Sequence, residues 1–281
     1  MRNIQCILTV IQSNHYWAFK GNVMTLKNKV AIVTGSTAGI GGKIATTFSE
    51  NGAKVVVTSR DIGRAQCKIA EIEENGGEGL AVACCLESSS QMQSLVDVVI
   101  DTYGRLDILV NNAISHPTLP PSPLQDLTYE QLGAGINTNL TNVIALTCKA
   151  YPYLKKNGGS ILNIGSVMVN QHMLGIPLYT IVKGAISQMT KVLAYEWAPD
   201  VKVNQINPGF TRTAAHKAIG IPDAEADIFF EAFRQFHPLS KIGHPQDIAS
   251  VAAFLVSEQA TWITGIEMNI DGGYSINGRS L

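Results

Sequence analysis

Short apolar segments recur along the chain and alternate with longer stretches of helical periodicity. Most of these segments are rich in valine and isoleucine, which is typical of strands that are buried on both faces of a sheet. They predict strands at Val30–Thr34, Lys54–Thr58, Leu80–Cys84, Leu106–Val110, Ser160–Ile164, Lys202–Ile206 and Glu267–Ile270. The stretches between them predict helices from Lys43 to about Asn51 and over Asp61–Asn75, Ser89–Tyr103, Tyr129–Lys156 and Thr180–Ala198.

The alternation of strands and helices predicts an α/β fold. It indicates a single domain with a doubly wound parallel sheet of about seven strands and helices on both faces. Ligands of such sheets bind beyond the carboxyl ends of the strands, where the strand order reverses. Because Gly35, Asn111, Ser166 and Pro208 all lie just after predicted strands, we expect them to line one cleft.

A glycine-rich turn connects the first strand to the first helix. It comprises Gly35, Ser36, Thr37, Gly39, Ile40 and Gly41. Such a turn lets backbone N–H groups approach a pyrophosphate, which then lies at the positive end of the helix. The glycine spacing differs from the general dinucleotide pattern, so the turn alone is equally compatible with a simple tight connection.

Three residues in the second half of the chain have the chemistry of proton transfer. Tyr179 and Lys183 are four positions apart in a predicted helix, so their side chains share one face. The pKa of a free tyrosine is about 10, and we expect the nearby lysine to lower the pKa of Tyr179. The Ser166 hydroxyl can hydrogen-bond a carbonyl or alcohol oxygen. A tyrosine and a lysine at this spacing also occur by chance on many surface helices.

Six motifs, in this order, resemble those of the classical short-chain dehydrogenase/reductase family. They are Thr34-Gly35…Gly39-Ile40-Gly41, Asn111-Asn112-Ala113, Asn139-Leu140, Ser166, Tyr179…Lys183 and Pro208-Gly209…Thr213. The resemblance covers nearly the whole chain and implies a Rossmann-like fold. It also implies hydride transfer between a nicotinamide nucleotide and a carbonyl or secondary alcohol, with catalytic residues Asn139, Ser166, Tyr179 and Lys183.

The resemblance further implies which residues bind the cofactor. They are Gly35, Ser36, Thr37, Gly39, Ile40, Gly41, Ser59, Arg60, Leu86, Asn112, Ala113, Tyr179, Lys183, Pro208, Gly209, Thr211 and Thr213. The chain departs from the family pattern at two positions close to these residues in sequence. Ile114 stands where the family usually has glycine, and Cys85 stands where an aspartate commonly contacts the adenine. Adenine binding would then depend on backbone contacts and on Leu86.

The end of the second strand indicates which nicotinamide nucleotide is used. The family's NAD users place an aspartate where this chain has Ser59, and Arg60 follows. A hydroxyl and a guanidinium suit the 2′-phosphate of NADP, so NADP(H) is predicted and NAD(H) is the less favoured cofactor. We expect the next residue, Asp61, to cap the following helix.

Two variable loops, Ile114–Gln125 and Thr213–Ser240, are expected to line the substrate site. The second is a predicted lid with an apolar set of Ile228, Phe229, Phe230, Phe233 and Phe236. Further apolar walls are expected from Met168, Met173, Leu174 and Phe210, whereas His116 and His172 are expected at the surface. The composition of the site favours an apolar ketone, aldehyde or secondary alcohol.

Two other functions fit the same motifs. One is reduction of a 3-oxoacyl group on a carrier protein, which requires a basic patch to meet an acidic partner. Lys217, Arg234 and Lys241 are the candidates for this patch. The other is a non-catalytic sensor that binds a nicotinamide nucleotide, although a sensor needs no proton donor.

Composition argues against several other classes of protein. Hydrophobic residues make up 46% of the 281 residues, and charged residues make up 15%. The net charge of −1 and the lack of a basic stripe argue against a nucleic-acid partner. No apolar run approaches the ~20 residues of a membrane span, and the cysteines and histidines lack metal-site spacing.

The domain organisation is expected to be simple. Residues 1–23 are expected to form an N-terminal extension, and residues 24–281 the dinucleotide-binding domain with a lid at about 213–240. We expect a cytoplasmic location. The less favoured alternative is that residues 1–23 are a peptide that targets the protein to an organelle. The resemblance implies a homotetramer or homodimer, assembled through Tyr129–Lys156 and Thr180–Ala198.

Overall fold

The computed structural model describes residues 25–277, so the predicted extension, residues 1–23, lies outside the described residues. A seven-stranded parallel sheet forms its centre, in the order β3-β2-β1-β4-β5-β6-β7. The strands are β1 Val30–Val33, β2 Lys54–Ser59, β3 Glu78–Ala83, β4 Ile108–Asn111, β5 Ser160–Ile164, β6 Lys202–Pro208 and β7 Glu267–Ile270. The predicted doubly wound parallel sheet is therefore confirmed.

Eight α-helices lie within the described residues. They are α1 Gly39–Glu50, α2 Ile62–Glu74, α3 Ser89–Tyr103, α4 Tyr129–Ile136, α5 Asn142–Lys156, α6 Pro177–Glu196, α7 Ala226–Arg234 and α8 Pro245–Val256. Helices α1, α2 and α8 bury apolar side chains on one face of the sheet, and α3, α5 and α6 bury theirs on the other. None of the helices in this part of the chain is long and apolar enough to cross a membrane.

The alternation of side chains along the strands supplies both cores. In β1, Ala31 and Val33 pack with α1, α2 and α8, whereas Val30 and Ile32 pack with the helices of the opposite face. All four side chains are buried. This explains why the strand has an uninterrupted apolar sequence rather than an apolar–polar alternation.

The predicted continuous helix Tyr129–Lys156 is wrong in one detail, because a π-helical turn at Asn137–Thr141 separates α4 from α5. Across this turn the backbone N–H of Asn142 bonds to the carbonyl of Asn137, five residues earlier. The side chain of Asn139 donates to the carbonyl of Gly135 at 3.1 Å. An asparagine side chain that donates to a backbone carbonyl competes with the backbone N–H groups of the helix for that acceptor. This competition favours the wider π-helical turn.

The segment predicted as a lid contains helix α7 and two short 3₁₀ turns, Ala214–Ile219 and Asp223–Glu225. It connects β6 with α8 and therefore begins at the carboxyl end of a central strand. The strand register places Pro208 beside Ile270 at this end of the sheet. The predicted lid therefore begins at the carboxyl edge of the sheet, where ligands of such sheets bind.

Candidate active site

The glycine-rich turn has the conformation that its sequence predicts. Gly35 and Gly39 have φ values of 61° and 58°, which only glycine adopts without strain. A Cβ on Gly41 would lie 2.3 Å from Nδ2 of Asn112, so this position has no room for a side chain. Asn112 in turn donates to the carbonyl oxygens of Thr34 and Gly35 at 2.8 and 3.1 Å. The turn is thus held against the end of β4.

Helix α1 begins at this turn with its amino end open. Ala38 is the N-cap residue, and no side chain caps the helix there. The first turn of α1 also carries no acidic residue. The free N–H groups and the positive end of the helix dipole suit an anion, so the residues present fit the pyrophosphate of a dinucleotide.

The end of β2 is arranged as the sequence predicts. The Asp61 carboxylate accepts hydrogen bonds from the N–H groups of Gly63 and Arg64 at 2.9 and 3.4 Å, and so it caps α2. Ser59 accepts a hydrogen bond from the Asp61 N–H at 3.1 Å. A cavity of about 430 Å³ lies between Thr37 of the glycine-rich turn and the first turns of α2, with Arg64 in its lining.

The other residues predicted to bind the cofactor lie at the same edge of the sheet. Ala113 donates its N–H to the Thr34 hydroxyl at 3.0 Å, and the carbonyl of Leu86 accepts from Asn142 at 2.8 Å. A Cβ on Gly39 would lie 3.6 Å from a methyl carbon of Thr213. The loop after β6 therefore meets the glycine-rich turn.

The loop after β6 is itself tightly packed. A Cβ on Gly209, which follows Pro208 at the end of β6, would lie 2.7 Å from the Cβ of Asp271. Thr211 donates to the Gly209 carbonyl at 3.0 Å and forms an isolated parallel bridge with Gly243. These contacts hold the segment from Pro208 to Thr211 at the carboxyl end of the sheet.

Tyr179 and Lys183 share one face of α6, as their spacing predicts. The Nζ atom of Lys183 is 5.8 Å from the centre of the Tyr179 ring and donates to the carbonyl of Ile164 at 2.6 Å. Ser166 follows β5 and faces the same phenol as a hydrogen-bonding neighbour. Its own N–H donates to Oδ1 of Asn207 at 3.2 Å. The structure therefore brings the three residues together.

The protonation of the pair differs from our expectation. Burial raises the pKa of Tyr179 above its ordinary value, and the hydrogen bond with Ser166 opposes this by a smaller amount. The expected lowering by the Lys183 ammonium is therefore wrong for this structure. Burial also lowers the pKa of Lys183 to about 8. Near neutral pH the phenol is thus protonated and the amine is mainly charged.

Asn139 lies in the π-helical turn and is buried. Its Oδ1 atom accepts from the N–H of Ser115 at 2.8 Å, and its Nδ2 atom donates to the Thr118 hydroxyl at 2.8 Å. The side chain therefore holds the loop that follows β4. A part in proton relay toward Lys183 stays a prediction.

A family model described as "Enoyl-(Acyl carrier protein) reductase" matches residues 35–275. The 7alpha-hydroxysteroid dehydrogenase of Escherichia coli strain K12 is 33% identical over 257 residues, which are 91% of this chain and 97% of that protein. The chain belongs to the classical short-chain dehydrogenase/reductase family. It is accordingly an oxidoreductase of the dehydrogenase and reductase type.

Other relatives and solved structures agree with this membership. The L-fucose dehydrogenase of Oryctolagus cuniculus is 34% identical and covers 87% of this chain and 84% of its own. A 7α-hydroxysteroid dehydrogenase solved with NADH and 7-oxo glycochenodeoxycholic acid has a TM-score of 0.82 at 33% identity, over 89% of this chain and 95% of its own. A 3-ketoacyl-(acyl-carrier-protein) reductase from Brucella melitensis, solved with NADH, has a TM-score of 0.79 at 32% identity. It covers 89% of this chain and all of its own (100%).

The isoleucine in place of the family's usual glycine is accommodated without strain. Ile114 packs in a cluster with Leu119, Leu178, Val182 and Tyr179. Its φ is not positive, since Asn28 and Ser240 are the non-glycine residues with positive φ in the described part of the chain. The Ile114 side chain is thus part of the apolar cluster beside Tyr179.

Three of the four side chains predicted to form apolar walls pack in one cluster with Tyr179. They are Met168, Met173 and Phe210. Leu174, in contrast, is 99% exposed and is not part of a wall. Its side chain points into solvent because it lies in a turn just before α6.

The predicted lid is amphipathic. Phe230 is buried, and Phe233 stacks on Phe210 with ring centres 4.1 Å apart, whereas Ile228 is 74% exposed. A second cavity, of about 1020 Å³, follows the outer, charged face of α7. Since its lining includes none of the predicted catalytic residues, we do not place the substrate there.

Two features of the site escaped the sequence analysis. His116, expected at the surface, is half-buried beside Tyr179, whereas His172 is exposed as expected. In β6, the amide side chains of Gln205 and Asn207 are buried and bonded to each other at 2.7 Å. Amides within a buried apolar strand are a sequence signal that could have indicated a polar network.

Proposed function

We propose that the protein reduces an apolar ketone or aldehyde with NADPH, or oxidises the matching secondary alcohol, through Asn139, Ser166, Tyr179 and Lys183. The observation that carries this proposal is the position of Tyr179 and Lys183 on one face of α6. They lie at the same sheet edge as the open amino end of α1. An anionic dinucleotide and a proton donor would therefore meet at one place.

The protein's own residues would handle the proton and the charge. Because burial raises the pKa of Tyr179, the phenol keeps its proton at neutral pH and can give it to the oxygen of a carbonyl under reduction. Ser166 would hydrogen-bond the same oxygen and stabilise the charge that develops there. Lys183 uses one ammonium donor on the Ile164 carbonyl and has two more for a ribose. A bound nicotinamide nucleotide supplies or accepts the hydride.

The preference for NADP(H) rests on the end of β2. The Asp61 carboxylate caps α2 through Oδ1, and Ser59 stands where the family's NAD users place the carboxylate that binds a ribose 2′-hydroxyl. Arg64 lines the cavity beside Thr37, and Arg60 precedes the same turn. The guanidinium of Arg64 in this cavity, with Arg60 close to it in sequence, favours the 2′-phosphate of NADP.

The apolar cluster around Tyr179 supports an apolar substrate. Met168, Met173, Ile176 and Phe210 belong to one apolar cluster with Tyr179 and with Phe236 of the lid. Among similar proteins, one acts on a hydroxysteroid by its name, which is a large apolar secondary alcohol. A small-molecule ketone of comparable character is therefore the proposed substrate class.

Reduction of a carrier-bound 3-oxoacyl group is the second candidate, since a 3-ketoacyl-(acyl-carrier-protein) reductase is among the similar structures. The charges near the lid do not favour it. Lys217 pairs with Asp223 at 2.7 Å, and Arg234 pairs with Glu231 at 2.9 Å. The cations expected to attract an acidic carrier are thus partly neutralised within the chain.

The test is a matrix of activities in which NADPH and NADH are each combined with a panel of free ketones, carrier-bound 3-oxoacyl groups and secondary alcohols. We expect a lower Michaelis constant for NADPH and turnover of free apolar ketones. Tyr179→Phe should lower kcat by roughly 10²–10⁴-fold while the Kd for NADPH changes little. Tyr195→Phe is the matched control, because Tyr195 lies on the same helix and is 91% exposed.

Three results would reject parts of this proposal. Retention of most activity in Tyr179→Phe would remove the phenol from the reaction. Binding of NADPH without turnover of any carbonyl compound would favour the non-catalytic sensor. A clear preference for NADH would overturn the cofactor assignment alone.

Assembly as a homotetramer or homodimer is also part of the proposal. Ile144 of α5 and Ile181 of α6 expose 39% and 49% of their surface, so the outer faces of these helices carry apolar side chains that a second copy could cover. Light scattering measures the assembly directly. The cytoplasmic location stays a prediction from the sequence.

A further inference from the structure

A histidine stands beside the proposed proton donor. The rings of His116 and Tyr179 are nearly parallel, with an angle of 10° between their planes and 6.4 Å between their centres. Neither ring nitrogen of His116 has a hydrogen-bond partner within residues 25–277. The cluster that packs around Tyr179 on this side, which includes Ile114 and Leu119, is apolar. His116 is therefore a half-buried imidazole that lies next to Tyr179 and has no described hydrogen-bond partner.

The loop that carries His116 is firmly held. The Ser115 N–H donates to Asn139 at 2.8 Å, and the Ser115 hydroxyl donates to the Glu87 carboxylate at 2.7 Å. On the other side of His116, the Thr118 hydroxyl accepts from Asn139 and donates to the Ser115 carbonyl. A loop that is ordered before binding loses little backbone entropy when one of its side chains contacts a ligand.

The surroundings keep the imidazole neutral. Burial, and to a smaller extent the charge of Lys183, lower the pKa of His116. The titratable groups near it are Tyr179 and Lys183 on α6 and, through Ser115, Glu87. A neutral imidazole offers one hydrogen-bond donor and one acceptor. It can therefore bind either a hydroxyl or a carbonyl oxygen, and it does not provide a positive charge for a carboxylate.

We propose that His116 is a further substrate-binding residue and hydrogen-bonds a second, uncharged oxygen that lies close to the reacting carbonyl. This inference rests on the proposed function and narrows its substrate class to hydroxyketones and diketones with an apolar frame. The second oxygen sets the orientation of the substrate on the Tyr179 side. His116 then selects against ketones that have no second oxygen, because their binding leaves the imidazole without a hydrogen-bond partner.

The test compares cyclohexanone with 2-hydroxycyclohexanone and cyclohexane-1,2-dione as substrates. Wild type should have the higher kcat/KM for the two substrates with a second oxygen. His116→Leu should lower their kcat/KM by about 10- to 100-fold and change that of cyclohexanone by less than about threefold. His116→Gln, which keeps a donor and an acceptor, should restore part of the loss. His172→Leu removes an exposed histidine and should change nothing.

Each other outcome decides the question. Equal losses with all three ketones in His116→Leu would show a structural role and overturn the inference, as would an unchanged enzyme. If His116→Leu fails to fold by circular dichroism, His116→Gln alone decides, through the ratio of kcat/KM between 2-hydroxycyclohexanone and cyclohexanone. A wild type that turns over no carbonyl compound would reject the proposed function, and this inference with it.

Discussion

At the scale of single residues, Lys183 is a buried charge that the proposed reaction needs and that lowers the free energy of unfolding. Its side chain is only 7% exposed, and its ammonium has one described hydrogen bond, to the Ile164 carbonyl. Burial of the charge lowers the pKa of Lys183 from 10.5 to about 8. The spacing of Tyr179 and Lys183 was readable in the sequence, whereas the pKa shifts were not, because they depend on the burial that the rest of the fold imposes.

We predict that Lys183→Met makes the protein more stable at pH 7 and abolishes turnover. At pH 7 the lysine is protonated in both the folded and the unfolded state, so the folded protein bears the full cost of burying the charge. Between about pH 8 and 10.5 the folded state binds fewer protons than the unfolded state, and wild-type stability should rise with pH. The variant lacks this rise, so the difference between the two proteins should shrink.

The shift from 10.5 to about 8 corresponds to roughly 3 kcal/mol as an upper limit, and a gain of roughly 1–3 kcal/mol is expected at pH 7. Thermal unfolding at pH 7 and pH 10 measures it as a Tm difference of several degrees. Lys156→Met is the control for loss of a positive charge, since Lys156 is exposed near the end of α5. A Lys183→Met variant less stable than wild type at pH 7 would contradict the prediction.

At the scale of elements, β6 supports the loop after β5 through its buried amides. The Asn207 side chain accepts from the Ser166 N–H at 3.2 Å and from Gln205 at 2.7 Å. A Cβ on Gly165 would lie 2.1 Å from Oδ1 of Asn207, so the amide touches the backbone that leads into Ser166. The strands were predictable from their apolar pattern, but this cross-strand contact depends on which strands become neighbours.

We predict that Asn207→Ala lowers kcat about tenfold with little change in the Kd for NADPH, because the Ser166 N–H loses its acceptor and the serine loses its orientation. Asn204→Ala is the matched control on the same strand. The Asn204 side chain is bonded instead to Ile263 and Ile266, away from Ser166. Both variants should lose stability, but only Asn207→Ala should lose activity per folded molecule. Equal kcat values for the two would mean that Asn207 supports the fold alone.

The helices show where an element could not be predicted from periodicity. The sequence of Tyr129–Lys156 has helical periodicity throughout, and the structure interrupts it at Asn137–Thr141. We attribute the interruption to the hydrogen bonds that the Asn139 side chain forms with Gly135, Ser115 and Thr118. Two of these partners lie in a loop that is distant along the chain. Local sequence pattern therefore predicts the helix but not the turn that positions its buried asparagine.

At the scale of the whole molecule, the proposed active site and the buried acid Asp107 lie at opposite edges of the sheet. The glycine-rich turn, Ser166 and the loop after Pro208 all follow the carboxyl ends of their strands. The strand order changes direction between β1 and β4, which is where a ligand is expected in such sheets. This part of the architecture was predictable because alternating strands and helices have few possible topologies. The hydrogen bond between the Val30 N–H and the Asp107 carboxylate at the amino edge was not, since it joins residues 77 positions apart in sequence.

Asp107 is the buried acid of the amino edge, with 1% exposure. It accepts from the N–H of Val30 at 2.9 Å and from Arg105 at 2.8 and 2.6 Å. We predict that Asp107→Ala lowers stability by about 2–3 kcal/mol, because the Val30 N–H is left unpaired at the start of the central strand. Its Tm should fall by about 5–10 °C, while kcat and KM for NADPH stay at wild-type values.

The matched control is Glu258→Ala, which removes an ion pair with Lys29, a residue that precedes the same strand. The pair is 3.3 Å long, and its Glu258 side chain is 74% exposed, so its loss should change stability by about 0.5 kcal/mol or less. Thermal unfolding and initial rates on the same protein samples separate the two effects. A changed KM for NADPH in Asp107→Ala would mean that the amino edge transmits strain through β1 to the glycine-rich turn. The division between a stabilising edge and a reactive edge would then be incorrect.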